Sequence, residues 1–320
     1  MSGHAGSRLR GAADAYLPGL VLLSCLWGSS YPFIREGVKE IGPAALIDAR
    51  LLLATPLLLA WAASRSGGLL PLLAAVRRFW LPCTVLGVVN VAVPYAAIAW
   101  AEQYVDSGTG AIANSAVPIF VVLLAIRFQP EERVGRWRWL GLAIGLTGVG
   151  LLVGANPGGG WLGIAGVLTV VGASLAYGSG ALYARTQVRD APGPVLASGS
   201  VAVGAIALVP LAVLDLPAQT PGATALGSIA GLALLGTVGA QILYFHMLPT
   251  HGAGKVTMVA YLIPVVSVVI GAAWLGEAIT GVKAGGLTLI LGGVALGSGA
   301  WAPRRRSPRA RGSRRIPPFG

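Results

Sequence analysis

The chain has 320 residues, of which 55% are hydrophobic and 11% charged, with a mean hydropathy of +0.75. Soluble domains carry about 25% charged residues; a protein this apolar cannot cover its own surface in water, and a bilayer is the solvent that permits it. The net charge of +12 does not point to nucleic acid. Seven basic residues (Arg304, Arg305, Arg306, Arg309, Arg311, Arg314 and Arg315) form a tail, and most of the others flank apolar runs. That is the pattern of topology determinants and of a segment held on anionic lipid.

A helix that crosses the hydrocarbon core needs about 20 mostly apolar residues. Ten runs qualify in chain order: 16–34, 43–64, 79–101, 108–128, 137–155, 161–184, 194–214, 225–247, 253–275 and 280–301. The first follows Arg8 and Arg10 as a signal peptide would. Its length, Trp27 and the lack of a small-residue cleavage site before Arg35 make it a span instead. The connections are short and leave no room for a soluble catalytic domain. Cys25 and Cys83 lie inside apolar runs and read as small core residues. Glycines four apart at 141–145, 150–154, 227–231, 281–285 and 293–297 allow close helix approach, as fold glue or as the face of a homodimer.

Placing the N-terminus in the cytoplasm puts every Lys and Arg on that side except Arg35, Lys39, Arg50 and Lys283. The positive-inside rule therefore predicts two cytoplasmic termini. The chain also repeats itself. WGSSYPFIR at 27–35 and YGSGALYAR at 177–185 share an aromatic residue, Gly, Ser and a distant Arg, and Pro118 and Glu132 stand as Pro264 and Glu277 do later. The expected organisation is a cytoplasmic segment 1–15, a first five-helix repeat 16–155, a loop 156–160, a second repeat 161–301 and a basic tail 302–320. Five spans per repeat force opposite insertion of the two halves, the inverted repeat of many secondary transporters.

Polar groups at membrane depth are costly and mark partners or wet cavities. Asn90, Asn114 and Gln241 are such groups, and Pro118 and Pro264 each free a helical carbonyl, at Asn114 and Ala260. Broken helices at matching places in two repeats point to a transporter site, with the prolines as hinges. Trp27, Ser30, Tyr31, Tyr95, Tyr177, Tyr244 and Tyr261 supply an apolar lining with polar tips, suited to an amphipathic solute. Trp80, Trp137, Trp161 and Trp301 read as lipid-facing or interfacial. Asp48 and Glu102 are the acids that could carry a coupling proton, although both lie toward the outer side. Arg50 is expected to snorkel or to cap neighbouring carbonyls. Glu132 and Glu277 are expected to offset the dipoles of the helices they begin.

These features, with ALIDARLLLA at 45–54, SAVPIFVVLLAI at 115–126, WLGLAIGLTGVGLL at 139–152 and the stretch MVAYLIPVVSVVIGAAWLGEAITGVKAGGLTLILGGVAL at 258–296, make the chain resemble the EamA-type branch of the drug/metabolite transporter superfamily over about residues 16–301. Pro118 to Glu132 is one residue longer than Pro264 to Glu277, a small insertion near Gln129–Glu131. The resemblance implies ten transmembrane helices in two inverted repeats, a central cavity, and export or exchange of a small metabolite without a cofactor. An amino acid, a nucleoside-like or another amphipathic compound fits a pocket without a strong charge. The high Ala, Gly, Arg and Pro content suits a GC-rich bacterial source and hence an inner-membrane location.

Two other classes fit the sequence less well. A membrane-embedded enzyme acting on a lipid or peptide needs a reactive pair at depth, whereas Ser29, Ser30, Ser174 and Ser179 have no mid-span His or paired acid beside them. A non-transporting scaffold would tolerate loss of the buried polar residues. Gly158, Gly160 and Gly163 match a dinucleotide fingerprint only in spacing, with no strand before them. His4, His246 and His251 are too dispersed for a metal cluster.

Overall fold

A computed structural model describes residues 3–128, 136–154, 160–188 and 190–297. Glu131, Glu132, Arg189, Trp301 and the basic tail lie outside the described residues. The described residues form helices and no strand, as lipid demands, because a helix satisfies its backbone polar groups internally.

In chain order the helices are α1 Gly3–Gly28, α2 Ser30–Gly37, α3 Pro43–Ser66, α4 Leu69–Arg78, α5 Trp80–Leu86, the π-helical turn π1 Gly87–Ala92, α6 Val93–Ala101, α7 Ser107–Asn114, α8 Val117–Phe128, α9 Arg136–Gly154, α10 Gly160–Gln187, α11 Gly193–Leu214, α12 Ala223–Ala233, the turn π2 Leu234–Gly239, α13 Ala240–His251, α14 Ala253–Val256, α15 Val259–Leu275 and α16 Gly281–Gly297. Seven segments are long and apolar enough to cross a bilayer: Tyr16–Gly37, Pro43–Ser66, Trp80–Ala101, Ser107–Phe128, Gly160–Gln187, Gly193–Leu214 and Ala223–His251. Trp139–Gly154, Val259–Leu275 and Gly281–Leu296 are apolar but shorter. At 1.5 Å per residue such helices reach only about 25 Å, less than the ~30 Å hydrocarbon core.

Contacts run mainly between the halves. α3 packs along α11 and α9 along α16; α1 packs on α13 and α15, while α10 packs on α6 and α8. The glycines of the repeated motif explain the last two pairs. A Cβ on Gly28 would stand 2.8 Å from Val266 of α15, and one on Gly178 would stand 3.1 Å from Phe120 of α8. The glycine stripes divide. Gly145, Gly148, Gly286 and Gly293 bring α9 and α16 together, whereas Gly150, Gly154, Gly227 and Gly281 meet nothing within 4 Å. A Cβ on Gly293 would fall 2.4 Å from the Gly141 carbonyl oxygen and 2.5 Å from the Gly145 nitrogen. Backbone cannot step aside, so Gly293→Ala is expected to part α9 from α16 and cost about 1–3 kcal/mol. A lower thermal midpoint in detergent, with Gly292→Ala as the unhindered control, is the check.

Two local expectations change. The helix break in the first half falls at Ser115–Ala116, directly before Pro118, but in the second half it falls at Thr257–Met258, and Pro264 sits inside α15. Pro118 lies in the first turn of its helix, where the missing N–H is no loss. A further paired helix defect is π1 and π2, which occupy corresponding places in the two halves. Cys83 is buried against Gly199, but Cys25 is exposed, so only one of the two cysteines is a core residue. Trp80, Trp137 and Trp161 are exposed.

Candidate functional site

The two π turns lie where the halves cross. Ser30 of α2 abuts π2: a Cβ on Gly236 would meet the Ser30 Oγ at 2.3 Å. Its counterpart in the repeat, Gly180 of α10, abuts π1, where its Cβ would meet the Asn90 Oδ1 at 2.5 Å. A π turn widens the helix and disturbs its carbonyl pairing. Thr237 answers this within π2 by donating its hydroxyl to the Leu232 carbonyl at 3.0 Å.

Arg50 ties this region together. Only 3% exposed, it donates from Nε to the Thr237 Oγ1 at 2.7 Å and from an Nη to the Gly236 carbonyl at 3.3 Å. Its guanidinium carbon lies 4.3 Å from the centre of the Tyr95 ring, a cation–π contact. It therefore caps a carbonyl but does not snorkel. Among the described residues no carboxylate pairs with it. Asp48, two residues before it, is buried with Oδ1 lacking a hydrogen-bond partner. A buried cation without a counter-charge is costly.

Around Arg50 the aromatic and amide groups assemble. Tyr95 and Tyr177 lie 6.4 Å apart between ring centres. The Asn114 Nδ2 donates to the Tyr31 Oη at 2.8 Å, and the Ser174 Oγ lies 3.1 Å from the Asn114 Oδ1 and from the Val170 carbonyl. Tyr31, Tyr95, Tyr177 and Tyr261 share the main core. Trp27 and Tyr244 do not join them. Their rings meet at a tilt, 5.6 Å between centres, in a separate cluster with Leu20, Leu23 and Met247. Gln241 is half-buried on α13.

The sequence reading passed over Arg50, Ser174, Gly236 and Thr237 as site residues. Thr237 and Gly236 carry no local signal, since what singles them out is a partner more than 180 residues away. For Arg50 there was a signal, a lone cation inside an apolar run.

A second constellation lies at one end of the bundle, where carboxylates of each half seat on helix N-termini of the other. Glu40 accepts from the Gly222 N–H at 2.6 Å, and Asp215 accepts from the Ala44 N–H at 2.8 Å. Glu277 accepts from the Ser107 N–H at 2.8 Å, the Ser107 hydroxyl at 2.9 Å and the Gly108 N–H at 3.1 Å. The dipole that Glu277 offsets is thus that of α7, not that of its own following helix. Unpaired N–H groups and the helix dipole favour an anion at each place. Lys283 bridges the same region, 2.8 Å from Asp106, which caps α7 through Thr109. Glu102 lies beneath, fully buried, and neither of its carboxyl oxygens has a hydrogen-bond partner among the described residues. Arg35 reaches Glu102 but donates to its backbone carbonyl.

Comparison with known proteins agrees with this architecture. The model of the EamA-like transporter family matches twice, over residues 17–154 and 164–298. The chain is 30% identical over 274 residues to the uncharacterized inner membrane transporter YedA of Escherichia coli strain K12, covering 82% of this chain and 84% of that one. It is 23% identical to a probable amino-acid metabolite efflux pump of Salmonella typhimurium, over 88% and 93% of the two chains, and 28% identical to a probable terminal-alkyne amino-acid exporter of Streptantibioticus cattleyicolor, over 92% and 97%. A solved crystal structure at 18% identity superposes with a TM-score of 0.63 over 92% of this chain and 99% of that one, which marks a common fold. A multi-pass helical membrane protein with two family repeats and inner-membrane transporters among its relatives is a membrane transporter, and the chain belongs to the EamA-like transporter family.

Proposed function

We propose that the chain is a secondary transporter of ten spans in two inverted repeats, which exports or exchanges a small carboxylate-bearing metabolite, an amino acid first, by alternating access. The observation that carries this reading is Arg50, a buried guanidinium paired with no carboxylate among the described residues, stacked on Tyr95 beside Tyr31, Asn114 and Tyr177. A solute carboxylate would neutralise it, and the tyrosines would take the solute's apolar part. The relatives described as amino-acid metabolite exporters support this class.

The matched close contacts of Gly28 and Gly178, and of Ser30 and Gly180, support a two-fold relation of the halves. So does the pairing of α3 with α11 and of α9 with α16. With both termini cytoplasmic, as the basic residues require, the Glu102 end faces outward. One half then rocks on the other about the Arg50 region, and the carboxylate seats at the outer end make and break.

Proteoliposomes preloaded with pooled amino acids, nucleosides and aromatic metabolites test it by mass spectrometry. Selective loss of carboxylate-bearing solutes, relative to empty-membrane controls, is the expected result. Loss of neutral solutes alone would overturn the carboxylate assignment. Retention of every solute by vesicles with confirmed insertion would overturn transport of these classes.

A further inference from the structure

Glu102 has the surroundings least suited to a charge. It follows the span Trp80–Ala101 and is 0% exposed, and both carboxyl oxygens lack hydrogen-bond partners among the described residues. A Cβ on Gly110 of α7 would lie 3.2 Å from the Glu102 Oε1 and 3.6 Å from the Tyr31 ring, so the carboxyl is wedged between α7 and α2. The charges on the neighbouring elements are engaged elsewhere. From α2, Arg35 is spent on the Glu102 backbone carbonyl, and Glu36 is paired with Lys39. From the α6–α7 connection, Asp106 holds Lys283 of α16. Glu277, before α16, is seated on Ser107 and Gly108. From Gly160 to Ala176, α10 carries no titratable side chain. An ionised carboxylate here would be buried, unbonded and beside two other acids, and such a group neutralises by taking a proton.

We propose that Glu102 is a proton-binding site of the transport cycle: the outer end closes over Glu102 only in its carboxylic-acid form, so each closure takes up one proton from the outer aqueous phase. This rests on the transport reading and the orientation given above. In the open form, water reaches the carboxylate and the proton leaves to it. On closing, the carboxylate binds a proton, no other bond changes, and Glu277 and Asp106 face a neutral neighbour.

The direction of the pH dependence follows. Burial holds the Glu102 acid well above the ordinary carboxylate range in the closed form, with Glu277 and Asp106 pushing the same way against Arg35. The open form, wetted, titrates at the ordinary carboxylate value. Below that value both forms are protonated and closure is at its most favourable. Between that value and the raised one, the closed-to-open ratio falls by up to about tenfold per pH unit as pH rises.

The full chain in nanodiscs, with Cys25→Ala and Cys83→Ala and spin labels on Lys39→Cys and Ile279→Cys, reads closure as a distance across the outer loops. The short-distance population should fall as pH rises above the ordinary carboxylate range. Glu102→Gln, neutral and of the same shape, should stay closed throughout, and Glu102→Asp should restore a pH-dependent transition. A Glu102→Gln curve that follows the wild type overturns the proposal, as does a wild-type distance that ignores pH while preloaded vesicles still lose solute. No solute loss, with wild-type distances still pH-dependent, overturns the transport reading instead.

Discussion

Replacing Arg50 with glutamine is expected to lower the flux of carboxylate-bearing solutes by roughly thirtyfold or more. Removing one member of a buried, hydrogen-bonded charge contact costs about 2–5 kcal/mol, and each ~1.4 kcal/mol is a factor of ten. The loss should be selective. Glutamine can still donate to the Thr237 hydroxyl or the Gly236 carbonyl, but it carries no charge to meet a carboxylate. Arg50→Lys keeps the charge and loses the planar fork that bonds π2 while stacking on Tyr95, so it should recover only part of the flux. Efflux from preloaded proteoliposomes, scored solute by solute at matched insertion, is the measurement. Equal flux through the glutamine variant would leave Arg50 a structural brace between α3 and π2.

Glu277→Ala is expected to have the largest effect on stability. It strips partners from the Ser107 N–H, the Gly108 N–H and the Ser107 hydroxyl together. A buried donor left unpaired costs about 1–3 kcal/mol, and the hydroxyl can turn elsewhere, so a loss of about 2–5 kcal/mol is expected. Ser107 is fully buried, which keeps water from repairing the damage. Glu277→Gln should lie between the variant and the wild type, because its carbonyl oxygen still accepts while its amide faces other donors. Glu36→Ala, which removes the exposed pair with Lys39, should change the thermal midpoint little. If Glu277→Ala melts no lower than Glu36→Ala, the seat on α7 contributes nothing to holding the halves together.

Both expectations concern contacts that no local reading of the chain could supply. The apolar runs were legible because burial in lipid forces long hydrophobic helices, and the repeated WGSSYPFIR and YGSGALYAR motifs marked glycines that serve matching close contacts. Tyr31, Tyr95, Asn114 and Tyr177 were legible as polar tips at depth, and they lie together with Arg50. Trp27 and Tyr244 carry the same signal and pack elsewhere, because depth along a helix fixes a residue's height and not its partner. Pro264 lies inside α15, away from the break at Thr257–Met258. A π turn has no composition of its own, so π1 and π2 were silent until the helices were packed.

By itself, the sequence determined that the chain lives in a membrane, that it is built of helices in two related halves, and that its family is that of the EamA-like transporters. Those properties follow from composition, hydropathy and motif order, which are written along one chain. Only the tertiary structure decided that Arg50 lies under Tyr95, that Glu277 caps α7, and that the Glu102 carboxyl is enclosed without a hydrogen-bond partner among the described residues. The physical reason is that a charge in a low-dielectric interior is governed by the groups within a few ångströms of it, and here those groups come from helices far away in sequence.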